Sequence, residues 1–62
     1  SNYIYYAYPA AWGTLSTIKV NGFASTWDYA TVSITNSSGN TENYYVYVSP
    51  NKIAGTLTLQ FS

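Results

Sequence analysis

The sequence predicts a small all-β domain, either a sandwich or a curled antiparallel sheet of about five strands, and three observations lead there. Period-two alternation of apolar and polar residues dominates the chain, and clusters of Asn, Gly, Ser and Pro punctuate it. The 62 residues also show no linker, low-complexity run or internal repeat, so residues 1–62 read as one unit, standing alone or as one module of a larger chain or assembly.

The elements follow in order. Tyr3 to Tyr8 is rich in strand-favouring residues, and Pro9 stops it by removing a backbone donor. Its inward face is ambiguous, because Ile4, Tyr6, Tyr8 and Tyr3, Tyr5, Ala7 are both apolar enough to be buried. Such a strand can be covered on both sides. Ala10 to Thr17 has no strict period, and Thr17 to Val20 reads as a short strand. Asn21-Gly22 is a turn signal, after which Phe23 and Trp27 fold back as aromatic plugs over the open end of the sheet. Ala30, Val32 and Ile34 alternate with Thr31, Ser33 and Thr35, the pattern of a strand with one buried face. The turn formers Asn36 to Asn40 reverse the chain, and Asn43 to Ser49 returns with Tyr44, Val46, Val48 on one face and Tyr45, Tyr47, Ser49 on the other. Thr56 to Phe61 is a last strand with Leu57, Leu59 and Phe61 inward, joined by a link short enough to pair it with its predecessor.

A chain this short buries only about 60% of the surface its unfolded form exposes, so small scaffolds usually need disulfides, a metal or oligomerisation. Cysteine and histidine are absent, which removes the disulfide framework and the usual zinc ligands together. Oligomerisation or attachment to a larger chain remains. The only charged side chains are Lys19, Lys52, Asp28 and Glu42, and they cancel, a balance that favours association. Two separated lysines give almost no counterion release, so no nucleic-acid partner is expected. No apolar run approaches the length of about 20 residues that spans a bilayer, so no membrane insertion is expected. The start SNYIYYAYPA lacks the basic end and aliphatic stretch of a signal peptide, as in a mature or excised piece.

Catalysis is not expected. Without His or Cys, a nucleophile would have to be Ser or Thr activated by Asp28, Glu42 or a lysine, and a core this small hardly encloses a substrate cleft. Asp28 and Glu42 formally suit a glycosidase pair but read as solvated loop residues. The glycines form turns rather than a phosphate cradle, and no cofactor is implied. The aromatic residues are the better candidates, because Tyr and Trp give large contact area with few rotors to freeze. Tyr3, Tyr5, Tyr45 and Tyr47 could share a face. Tyr45, Tyr47, Trp12 and Trp27 are candidate stacking platforms for a sugar ring, against the simpler reading that they cover the core. Asn36-Ser37-Ser38 fits the glycosylation pattern in an exposed turn, a pattern that also arises by chance.

Five blocks in order carry a resemblance that spans nearly the whole length. They are Tyr5-Tyr6-Ala7-Tyr8-Pro9, Trp12 to Ile18, Asn21-Gly22-Phe23, Val32 to Asn36, and Tyr44 to Ser49 with Asn51. The sequence resembles small C-terminal β modules in predicted virion structural proteins of tailed bacteriophages, found on fibre-like or baseplate-like chains. That resemblance implies a structural role in a virion or an extracellular setting and brings no catalytic or ligand motif. The chain departs from such modules in having fewer charges between Ile18 and Val32, which implies a drier, more closely packed assembly.

Two functional expectations follow. The first is a non-enzymatic module that assembles through sheet faces and strand edges with identical subunits or other virion or filament proteins. Its candidate surface is Tyr3, Ile4, Tyr5, Tyr6 and Tyr8, because uncharged tyrosine-rich edges are templates for strand addition. The second is a carbohydrate-binding module for host-surface recognition, using exposed Tyr and Trp.

Overall fold

The computed structural model describes all residues, 1–62, and is all-β. Six strands form two three-stranded antiparallel sheets. The strands are β1 (Tyr5–Pro9), β2 (Ile18–Val20), β3 (Phe23–Ser25), β4 (Asp28–Thr35), β5 (Thr41–Val48) and β6 (Leu59–Phe61). The larger sheet has the order β1-β5-β4 and the smaller one β3-β2-β6. A single 3-10 turn, Ala10–Trp12, links β1 to the approach of β2.

Local chemistry explains each junction. Pro9 is the last residue of β1, opposite Tyr44, and the strand ends with it. Asn21 and Gly22 both have positive φ, 51° and 84°, the backbone of the tight hairpin turn that joins β2 to β3. Asn21 also fastens that turn to the approach of β6. Its N–H donates to the Thr58 carbonyl at 2.8 Å, and its Oδ1 accepts from the Thr58 N–H at 2.9 Å. In the β4–β5 turn, Asn36 Oδ1 accepts from the N–H groups of Ser38 (2.9 Å) and Asn40 (3.1 Å), and Gly39 supplies the positive φ.

The core lies between the sheets and is aromatic. Tyr8 and Tyr47 from the larger sheet meet Ile18 from the smaller one and Trp27 from the β3–β4 link. Tyr6 stacks on Phe61 with centroids 3.9 Å apart, and Trp27 meets Phe61 edge-on at 5.6 Å. Buried phenols need partners, and they have them. Tyr8 donates to the Gly13 carbonyl at 2.6 Å, and Tyr47 Oη accepts from the Leu15 N–H at 2.9 Å. Buried Ser49 works the same way, accepting from the Ile4 N–H (3.0 Å) and donating to the Asn51 carbonyl (2.9 Å).

Several expectations change. The all-β expectation of about five strands holds, with six formed because Phe23–Ser25 pairs with β2 as a short strand of its own. Phe23 is therefore no plug and stays 78% exposed, whereas Trp27 is buried as expected. The last strand pairs with β2 instead of β5. An antiparallel bridge between Asn2 and Ile53 holds the link beside the N-terminal end, and the chain passes to the other sheet. The largest change is in β4, where Ala30, Val32 and Ile34 were expected to be buried. All eight residues of the strand are exposed. The strands of the smaller sheet are only three residues, about 10 Å, long, and they lie on the opposite face.

Candidate functional site

Register decides what each face of the larger sheet carries, since residues directly across an antiparallel pair point the same way. On the inner face, Tyr6 and Tyr8 lie opposite Tyr47 and Tyr45, which lie opposite Tyr29 and Thr31. The outer face is aliphatic at its centre. Val46 and Val48 of β5 are flanked by Ala7 and Tyr5 of β1 and by Ala30 and Asp28 of β4. Farther along, Tyr44 pairs with Val32, and Glu42 with Ile34.

Both faces are thus apolar, and the chain supplies a cover for one. Tyr47 on the inner face is 3% exposed, whereas Val32 and Ile34 on the outer face are 40% and 51% exposed. Even Val46, in the middle of the central strand, is only half-buried. Three strands about 4.8 Å apart and up to about 27 Å long make this a flat patch of roughly 300 Å². That is about the size of the largest apolar patch on an ordinary monomer, and such patches are often functional. Asp28 and Glu42 stand at its two ends and leave its centre uncharged.

The edges of the same sheet are unequal. Ser49 N–H donates to the Ile4 carbonyl, so Ser49 and, within β5, residues 47 and 45 turn their backbone groups to the β1 side. Asn36 N–H donates to the Asn40 carbonyl, so residues 42, 44, 46 and 48 face β4. It follows that Tyr29, Thr31, Ser33 and Thr35 turn their N–H and C=O groups to the open side of β4. On β1 the open side carries Tyr5, Ala7 and Pro9, and Pro9 has no N–H to offer. This placement also explains why a proline is tolerated in β1. The edge of β4 has no proline, lysine or break in its pairing over eight residues.

The candidate residues divide accordingly. Of the proposed assembly set, Tyr3 and Tyr5 are exposed, Ile4 and Tyr6 are half-buried, and Tyr8 lies in the core. Of the stacking set, Tyr47 and Trp27 are buried, Tyr45 packs against the core, and Trp12 is 75% exposed with one side near Tyr8 at 6.0 Å. Tyr5 does not share a face with Tyr45 and Tyr47, because its partner across the sheet is Val48. Asn36 sits in the exposed turn with its carbonyl oxygen engaged by the turn.

Asp28 and Glu42 lie opposite Val48 and Ile34 respectively, six residues apart along the ladder. That separation is about 20 Å, too far for two carboxylates to act on one glycosidic bond. A cleft of about 360 Å³ opens beside Trp27 and Tyr29, between the β3 end of the smaller sheet and the larger sheet. Burial, with help from the neighbouring Tyr47 phenol, pushes the Tyr8 hydroxyl up to about 12, which suits a donor kept protonated inside the core. Residues missed as candidates are Ala30, Val32, Ile34 and Val46. Their alternation was visible, but which face the second sheet would cover was not. No family model, curated protein or solved structure matches the chain.

Proposed function

We propose that the chain is a non-enzymatic structural module that assembles with copies of itself or with other subunits, as part of a phage virion appendage or an extracellular filament. The observation that carries this reading is the uncovered outer face of the larger sheet. A sheet with two apolar faces needs two covers, and this chain holds one. Near-zero net charge and an open β4 edge support the same reading, and the order of the resembling sequence blocks supports the virion setting. A glycan-stacking role gains nothing from the inward placement of Tyr45 and Tyr47.

The test is the sedimentation of wild type beside Val46→Lys, which puts a charge at the centre of the outer face without touching the core. Wild type should sediment as an assembly and the variant as a folded monomer. A wild type that remains monomeric at sub-millimolar concentration overturns assembly with copies of itself.

A further inference from the structure

The open edge of β4 specifies more than a general tendency to associate. We infer that two copies join edge to edge through β4, antiparallel, around a two-fold axis at Val32. The inference rests on the assembly reading above and deepens it by naming the partner and the register.

The free backbone groups of β4 fix the pairing. Tyr29, Thr31, Ser33 and Thr35 present theirs to the open side, so any added antiparallel strand must form its hydrogen-bonded pairs with these residues. A second β4 offers the same four. One register satisfies all of them at once: Tyr29 opposite the second copy's Thr35, and Thr31 opposite its Ser33. Both pairs repeat across the axis, giving about eight backbone hydrogen bonds. Shifting the register by two residues leaves a strand residue unpaired on each side. Joining β4 to a second copy's β1 does worse, since β1 is five residues long and ends its open side with Pro9.

Side chains agree with that register. Val32 meets the second copy's Val32 on the axis in a pair without direct hydrogen bonds, where side chains approach most closely. Ala30 meets Ile34 on either side. Asp28 falls opposite Asn36, so no like charges oppose each other. Thr31 and Ser33 align hydroxyls on the other face. The product is a six-stranded sheet whose aliphatic outer face runs unbroken across both copies. An edge about 27 Å long and about 10 Å thick buries less than the roughly 800 Å² per partner of a stable free-standing interface. The pair is therefore a unit that the covered outer face consolidates.

The absence of cysteine makes the test clean. In a pair of this kind the Cα atoms lie about 4.5 Å apart, within the range a disulfide spans. Val32→Cys, exposed and so folded as the wild type, should form a disulfide-linked dimer under mild oxidation with its circular dichroism unchanged. Ile34→Cys is the control, because its two copies would be about 13 Å apart along the strands and should cross-link roughly tenfold less. Thr31→Pro removes a donor that faces outward, so it should keep the monomer fold and lose the pairing. Equal cross-linking of Val32→Cys and Ile34→Cys, or none, overturns the register. If wild type still sediments as an assembly in that case, the assembly reading stands and only the β4 pairing falls.

Discussion

The two faces of the larger sheet both carry apolar side chains and have opposite fates. The inner face is tyrosine, and its rings reach across to the smaller sheet while their hydroxyls find the Gly13 carbonyl and the Leu15 N–H. The outer face has valine, alanine and isoleucine at its centre, with Tyr5, Tyr44, Asp28 and Glu42 around them, and no second layer. Tyrosine serves where the covering sheet is small, because one ring spans more of the gap and its polar end can be satisfied at the margin. Aliphatic side chains have no such reach. They leave a fold-holding face and an uncovered face within one sheet, and the uncovered one is the face proposed to meet a partner.

Substitutions on the two faces should separate stability from association. Tyr47→Ala removes a buried ring and should cost about 3–5 kcal/mol. A domain this small holds only about 3–9 kcal/mol in total, so loss of most folded signal in a thermal melt is expected, and a nearly unchanged melt would break the division. Ser49→Ala leaves the Ile4 N–H and the Asn51 carbonyl without their partner, at about 1–3 kcal/mol, read as a lowered denaturant midpoint. Val46→Lys on the outer face should change monomer stability by about 1 kcal/mol or less while abolishing assembly.

The smallest effect at neutral pH belongs to the Tyr8 phenol. Its folded pKa is raised from 10.0 to about 12, so folding favours the protonated form. The stabilisation is fully present below pH 10 and is lost as the pH climbs through about 12. Ultraviolet titration should show one phenol ionising late, together with unfolding, and Tyr8→Phe should remove that late step.

Much of this architecture is legible in the residues. Alternation places β4 and β5 and their turn, and Asn21-Gly22 marks the hairpin between β2 and β3. Pro9 marks the end of β1. In β1 and β5 period two cannot reveal which of two apolar faces turns inward, because tyrosine and valine both score as buried types, and in β4 it points to the aliphatic face, which the structure leaves uncovered. The choice depends on where a three-residue strand such as Phe23–Ser25 lies, and so short a strand leaves almost no periodic signal. The pairing of β6 with β2 was hidden for a related reason. It is fixed by the Asn2–Ile53 bridge and by the Asn21 hydrogen bonds to Thr58, contacts between residues far apart in sequence. The open backbone groups of β4 became visible only once the register was known.

On the proposed reading, another subunit covers the outer face when the protein assembles. Hydroxyl-radical footprinting of assembled and dissociated material, read residue by residue, tests it most directly. Val32, Ile34 and Val46 should be protected in the assembly and labelled when it is dissociated, with Tyr47 protected in both. Equal labelling of the three aliphatic residues in both states would contradict the account.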